Sequence, residues 1–224
     1  IRSKIVKILG GLITKAKGGN ATGEDGDGGA GIASDGALTI HSGNIGTAQG
    51  GTSANGTGGD GIRSDGELTI KGGEIKQTTG GKATGESGNG GSGIRSGDTL
   101  TISNSATITN ATGGTSTNGN GGSGIYSNRE LKIDGNAAIT NATGGASTDG
   151  NGGSGISSGS MLTISDNAAI TNATGGSGRR GGHGLFGSVM KIISSTIGTA
   201  QGGEGKTYGG HGIYGVGQLT ISDN

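Results

Sequence analysis

The sequence predicts an all-β protein of the right-handed parallel β-helix, or β-solenoid, class. One phrase of about 31 residues recurs along the chain, and a period of roughly 20–50 residues is typical of solenoids and other repeat arrays. Each copy contains short stretches such as Leu-Thr-Ile, in which apolar and polar residues alternate as in β-strands. No stretch shows helical periodicity, and glycine interrupts every copy. We therefore expect coils of three short strands followed by a glycine-rich arc.

Each predicted coil begins at the apolar residue that follows a glycine-rich run. These residues are 28 to 32 positions apart and divide residues 1–224 into about seven coils of a single solenoid segment. The coil starts are Ile1, Ile32, Ile62, Ile94, Ile125, Ile156, Leu185 and Ile213. A coil buries only about four aliphatic side chains and one Ala or Thr, such as Ala111, at roughly 1.5–3 kcal/mol for each aliphatic side chain, whereas every ordered residue costs roughly 1–2 kcal/mol of backbone entropy. Since one coil cannot fold alone, its stability must come from stacking.

The predicted elements follow one another in a fixed order. The first strand opens the coil, the second carries a Leu-x-Ile pair such as Leu100 and Ile102, and the third carries a further apolar residue such as Ile108. The arc that follows, residues 113–124 in this coil, contains only Gly, Ser, Thr and Asn and would be a flexible loop in isolation. Because paired glycines recur at both ends of the arcs, we expect the arcs to stack as an ordered flange, in which glycine allows close approach of backbones.

One polar column is predicted in the third strands. The sequence ITNATGG recurs in coils four to six and aligns Asn110, Asn141 and Asn172. We interpret this column as a ladder of amide side chains that hydrogen-bond between coils. The alternative, N-glycosylation of the NAT sequence, requires a eukaryotic secretory host.

Composition excludes several classes of function. The 224 residues include 59 Gly and no Pro, Cys or Trp, and the formal net charge is zero. A chain without net charge has no global field that attracts nucleic acid or anionic membranes, and one without cysteine has no disulfide or thiol chemistry. No stretch is long and apolar enough to insert into a membrane. Neither end carries a polar cap, so we expect part of a longer repeat protein or filament, with self-association end to end.

The second and third coils carry the phrases GIASDGALTI and GIRSDGELTI, at residues 31–40 and 61–70. These phrases resemble the GIxSDGxLTIxGG repeat of secreted clostridial carbohydrate-binding proteins, whose right-handed parallel β-helix is similar to that of pectate lyases. The resemblance weakens in later coils, where Gly97-Asp98, Asn128-Arg129 and Gly159-Ser160 replace Asp-Gly. It implies a protein located outside the cell or on the cell surface that binds acidic polysaccharide, and it makes calcium the candidate cofactor.

The sequence contains no arrangement typical of a catalytic site. The histidines are not paired at metal-ligand spacing, and no serine is placed as an activated nucleophile, so we expect a non-enzymatic protein. Stacking predicts an outward column on the first strands that includes Arg63, Arg95 and Tyr126. Arginine and aromatic groups in such a column can bind carboxylates and sugar faces. The alternative is an ordinary solvated strand surface.

Binding-type side chains are concentrated in the last two full coils, where the arcs are shorter. The sequence therefore places any ligand site there, and the alternative is drift of the repeat towards the end of the array. The candidate ligand-binding residues comprise those of the outward column and those of the last two full coils. They are Arg63, Arg95, Tyr126, Arg179, Arg180, His183, Phe186, Tyr208, His211 and Tyr214.

Acidic residues are concentrated in the first arc, at Glu24, Asp25 and Asp27. Calcium binds several oxygen ligands, including charged ones, so these residues are a candidate calcium site. Later arcs carry few carboxylates at the equivalent positions, which favours a solvated acidic turn instead.

Three functions are compatible with this sequence. The first is a rigid extracellular stalk or fibre that adheres to polysaccharide, and the second is a dedicated domain that binds acidic polysaccharide in a calcium-dependent way. The third is an ice-binding solenoid, suggested by a column of threonines in the second strands. These threonines are Thr39, Thr69, Thr101, Thr163 and Thr220. Lys132 and Lys191 interrupt the column, which counts against this third function.

Overall fold

The computed structural model describes residues 1–23 and 26–223 and contains strands and turns only. The strands stack in parallel to form a β-solenoid of about seven turns with a repeat of about 31 residues, which confirms the predicted fold class. Three sheets run along the solenoid, and each full coil contributes one strand to each sheet. In the described part of the chain, no helix is long and apolar enough to cross a membrane.

Equivalent strands of successive coils are neighbours in every sheet. The first sheet contains β1 (Arg2–Ser3), β4 (Ile32–Ser34), β7 (Ile62–Ser64), β10 (Ile94–Ser96), β13 (Ile125–Ser127), β16 (Ile156–Ser158), β20 (Leu185–Gly187) and β24 (Ile213–Gly215). The second contains β2 (Val6–Ile8), β5 (Leu38–Ile40), β8 (Leu68–Ile70), β11 (Leu100–Ile102), β14 (Leu131–Ile133), β17 (Met161–Ile164), β21 (Val189–Ile193) and β25 (Leu219–Ser222). The third contains β3 (Leu12–Lys17), β6 (Asn44–Gln49), β9 (Glu74–Thr79), β12 (Thr107–Thr112), β15 (Ala138–Thr143), β18 (Ala169–Thr174) and β22 (Thr196–Gln201).

Two further strands lie in the shortened arcs and were not predicted. They are β19 (Gly178–Arg180) and β23 (Gly205–Tyr208), which pair in parallel as a small fourth sheet.

The core consists of aliphatic columns in which equivalent residues of successive coils stack. In coil four, Ile94, Leu100, Ile102 and Ile108 are fully buried, and each pairs with the same residue type in coil five. The third strands are longer than predicted, at six residues. Their inward residues, Ile108 and Ala111, are three positions apart instead of two. In a flat strand every second side chain points inward, so a spacing of three requires the strand to bend at its middle.

Buried serines close the first strands of coils two to six. In coil four, the Oγ of Ser96 donates a shared hydrogen bond to the carbonyl oxygens of Gly66, at 2.9 Å, and Thr99, at 2.8 Å. The equivalent serines bond two carbonyls in the same way. Each serine thereby ties its turn to the coil before it.

The glycine-rich arcs form the ordered flange that the sequence predicts. Each arc has an outgoing arm after the third strand and a return arm before the next first strand. In coil four, the N–H of Gly122 in the return arm donates to the carbonyl of Gly114 in the outgoing arm, at 2.9 Å. The N–H of Gly145, in the outgoing arm of the next coil, donates to Gly122 at 2.7 Å. The two arms are therefore bonded to each other as well as stacked.

These bonds continue along the flange as one chain, which we call the glycine zipper. It has thirteen backbone hydrogen bonds of 2.7–3.0 Å and alternates between the two arms. Its members are Gly19, Gly29, Gly51, Gly59, Gly81, Gly91, Gly114, Gly122, Gly145, Gly153, Gly176, Gly182, Gly203 and Gly210. No side chain separates the arms, and from Gly51 to Gly210 a Cβ at any zipper position would overlap a backbone carbonyl, so this part of the zipper depends on glycine.

Candidate functional site

Grooves lie in the angle between the return arm of the flange and the first sheet. One groove, formed by the arcs of coils six and seven and the first strand of coil eight, has a volume of about 370 Å³ and is lined by Arg180, His183, Tyr208, His211 and Tyr214, with two intervening glycines. We call it the aromatic groove. A second groove of about 320 Å³ lies in the same angle at the other end of the solenoid, where charged side chains line it.

The rings of His183, His211 and Tyr214 form one wall of the aromatic groove, and the ring of Phe186 lies beside them. His183 and His211 precede β20 and β24, while Phe186 and Tyr214 point outward from those strands and pair in register. The centroid of the His183 ring lies 5.4 Å from that of His211, 4.6 Å from that of Tyr214 and 5.5 Å from that of Phe186. Because the repeat aligns these positions between coils, four separate sequence positions form one aromatic surface.

Hydrogen bonding fixes the protonation of His183. Its Nδ1 accepts a hydrogen bond from the backbone N–H of His211 at 3.0 Å, so the neutral ring carries its proton on Nε2. Partial burial, with the nearby His211 as a second cause, lowers the pKa of His183 below its ordinary value of 6.5. The wall is therefore uncharged at His183 at neutral pH.

The opposite wall comes from the fourth sheet. Arg180 and Tyr208 are paired between β19 and β23, and the guanidinium carbon of Arg180 lies 5.6 Å from the centroid of the Tyr208 ring. Tyr208 is 64% exposed, which leaves its ring accessible. Arg179 is exposed beside Arg180 but does not line the groove.

The structure separates the remaining candidates from this groove. Arg63 lies in the outward column of the first sheet, as predicted, but its Nε donates to Asp65 at 2.6 Å. Its charge is therefore already neutralised within the protein. Arg95 lies over the ring of Tyr126 at 5.9 Å, which makes a second Arg–Tyr pair in coils four and five.

A buried acidic residue close to Arg63 and Arg95, Asp60, was not predicted from the sequence. Its side chain is buried, and its Oδ1 accepts a hydrogen bond from the backbone N–H of Ser92 at 2.7 Å. Burial raises the pKa of Asp60 above the ordinary value of 3.8, although Arg95 and Arg63 oppose this shift. Asp60 occupies the position in coil two that His183 occupies in coil six. Alignment of this position across the coils would have identified Asp60 from the sequence.

Of the candidate calcium ligands, Asp27 alone lies within the described residues, and Glu24 and Asp25 lie outside them. The Oδ1 of Asp27 accepts a hydrogen bond from the backbone N–H of Thr57 at 2.7 Å, which gives it a structural role between coils. Elsewhere in the described chain, no three acidic or histidine side chains are grouped to hold a metal ion. The calcium site stays a prediction.

No family model matches the chain, and comparisons with curated proteins and with solved structures gave no match. The resemblance to the clostridial carbohydrate-binding repeats therefore stays a prediction.

Proposed function

We propose that this protein is a non-enzymatic structural repeat that acts outside the cell or on its surface as a rigid stalk or fibre and contacts polysaccharide. The observation that carries the proposal is the unbroken glycine zipper beside three in-register sheets. Bending such a rod would strain bonds in the sheets and in the flange together, because each coil is attached to the next on all of its sides. Stiffness is the property that a spacer requires.

End-to-end association is the second part of this proposal. At both ends of the solenoid, apolar side chains of the core columns are exposed, including Ile1 at 61%, Leu219 at 45% and Ile221 at 64%. A further coil stacked in register, from the same chain or from another copy, would cover them. Head-to-tail contact between copies would give an open filament.

Electron microscopy combined with sedimentation velocity tests the stalk. We expect rods that lengthen with protein concentration, in steps of roughly 35 Å if seven inter-coil steps each rise about 4.8 Å. Leu219→Asp places a charge in an exposed apolar column and should stop the lengthening, whereas Gln218→Asp, its exposed neighbour, should not. Compact monomers at every concentration would contradict end-to-end association.

A dedicated carbohydrate-binding domain is the alternative function, and the aromatic groove favours it. Two walls of exposed rings can stack on the faces of a pyranose, and Arg180 can pair with a carboxylate on it. Tyr214 adds to one wall, and the ring of Phe186 packs 5.9 Å from it.

Titration calorimetry with neutral and uronic-acid oligosaccharides tests the groove. We expect Tyr214→Ala to weaken binding by about tenfold, which is roughly 1.4 kcal/mol. Tyr126→Ala removes the same ring from the same sheet three coils away and should leave binding unchanged. Equal losses from both variants, or no binding by the unaltered protein, would contradict the assignment. Repeating the titration with a chelator tests the need for calcium.

A further inference from the structure

The outward surface of the third sheet in coils four to six differs from the surfaces of the other two sheets. Strands β12, β15 and β18 present three columns of short polar side chains there, which we call the threonine face. The columns are Thr109, Thr140 and Thr171, then Asn110, Asn141 and Asn172, then Thr112, Thr143 and Thr174.

The central column is the predicted asparagine ladder, and the structure confirms it. The Nδ2 of Asn141 donates to Oδ1 of Asn110 at 3.0 Å, and that of Asn172 donates to Oδ1 of Asn141 at 2.9 Å. These bonds use the amides along the solenoid axis and hold the column rigid. The flanking threonines are therefore the groups available to a ligand.

The threonine hydroxyls are free and regularly spaced. Among the described residues, none of these six threonine side chains makes a hydrogen bond within the protein. In-register pairing repeats each hydroxyl at the strand spacing of about 4.7–4.9 Å. The outgoing arm beyond Thr112 begins with Gly113 and Gly114, so no long side chain overhangs the surface at that edge.

Charge and aromatic groups are both absent from the strands of this face. β12, β15 and β18 contain no charged and no aromatic residue. A polysaccharide site would be expected to offer aromatic platforms or arginine, and an anionic polymer would be expected to meet cations. The face suits instead a neutral lattice of hydrogen-bonding groups with a period close to the strand spacing.

We propose that the threonine face binds ice. Water molecules at an ice surface form such a lattice, and each threonine offers it a hydroxyl for hydrogen bonding and a methyl group that packs against the ordered water. Adsorption sums many weak contacts that a rigid array makes at once. This function is separate from the stalk and from the aromatic groove.

The structure also explains why the second sheet cannot serve this purpose. There, Thr101 pairs with Lys132, and Thr163 pairs with both Lys132 and Lys191. Lysines project from the threonine column and would hold it away from a flat surface. The sequence suggested ice binding through the threonine column of the second sheet. In the structure, the threonine face of the third sheet is the better candidate.

Thermal hysteresis and inhibition of ice recrystallisation test the proposal with two matched lysine variants. Thr140→Lys places a charge at the centre of the threonine face and should remove most of both activities. Thr69→Lys makes the same change at an equally half-buried threonine of the second sheet and should leave both unchanged. Thr109→Lys, one coil away from Thr140, should repeat the loss. Circular dichroism should show the same fold for all variants, because these side chains point outward.

Three results would overturn the proposal. The first is no thermal hysteresis and no recrystallisation inhibition by the unaltered protein. The second is an equal loss from the Thr69→Lys control. The third is retention on crystalline cellulose or chitin that Thr140→Lys abolishes, without any effect on ice, which would assign the face to a polysaccharide. Failure of the stalk or groove experiments would not alter any of these readouts.

Discussion

Replacement of Gly122 by alanine is the most direct test of the glycine zipper. A Cβ at this position would overlap the carbonyl oxygen of Gly91 and would lie 2.5 Å from its carbon. Carbon atoms in contact are separated by about 3.5–4.0 Å. The backbones of Gly91 and Gly122, which are both buried, would therefore have to separate by about 1 Å.

That displacement would break the two zipper bonds of Gly122. The bonds to Gly114 and from Gly145 are 2.9 and 2.7 Å long, and lengthening by about 1 Å exceeds the usual limit of about 3.2 Å. The loss of two buried backbone hydrogen bonds, at about 1–3 kcal/mol each, would lower the free energy of unfolding by roughly 2–6 kcal/mol.

Urea denaturation followed by far-ultraviolet circular dichroism measures this loss. Gly209→Ala is the matched control, since a Cβ there would meet only the carbonyl oxygen of Gly203, at 3.8 Å. The control should keep its stability or gain about 0.4–1 kcal/mol from a less flexible unfolded chain. The reasoning is refuted if Gly122→Ala stays within about 0.5 kcal/mol of the unaltered protein, as an exposed surface substitution would.

Three further substitutions test other contacts. Asp60→Asn should raise stability at pH 7, because burial raises the pKa of Asp60 above 3.8 and stability is lost as pH rises through the folded-state pKa. Urea titration at pH 4 and pH 7 should show the gain only at the higher pH. Ser96→Ala should cost about 1–3 kcal/mol by leaving the carbonyl of Gly66 unpaired, whereas that of Thr99 still accepts from the N–H of Leu68; equal stability would contradict this role. Stability should fall as pH drops below 6.5, the ordinary pKa of histidine, because the folded-state pKa of His183 is lowered. His183→Gln should reduce that fall.

The sequence period was sufficient to predict the stacking and the core. Each buried aliphatic column, such as that of Leu100, can be read by aligning the coils, and the register in the structure is the same. The buried Ile108 and Ala111 columns, three positions apart, can be read by the same alignment, and this spacing explains the bend of the third strand. One feature could not be read in this way. Pairing between β19 and β23 depends on the length of the arcs, which local propensity does not encode.

The candidate site was predictable only as far as the repeat aligns residues. Stacking of His183 on His211 and of Phe186 near Tyr214 follows directly from their equivalent positions in successive coils. The contribution of Tyr208 from the facing wall does not, because it requires the position of the flange relative to the first sheet. Neutralisation of Arg63 by Asp65 was also not predicted from the sequence, although both side chains are exposed and only two positions apart.

The glycine zipper also explains why binding-type side chains occur where the arcs are short. The zipper positions from Gly51 to Gly210 leave no room for a side chain, so a new functional residue can enter this part of the flange only between them. In coils six and seven the arcs shorten while Gly182, Gly203 and Gly210 keep their bonds. The shortened segments form β19 and β23 and carry Arg180 and Tyr208 to the edge of the first sheet. Lengthening either arc should therefore abolish the aromatic groove without unfolding the solenoid, because the groove depends on arc length and the fold depends on the zipper.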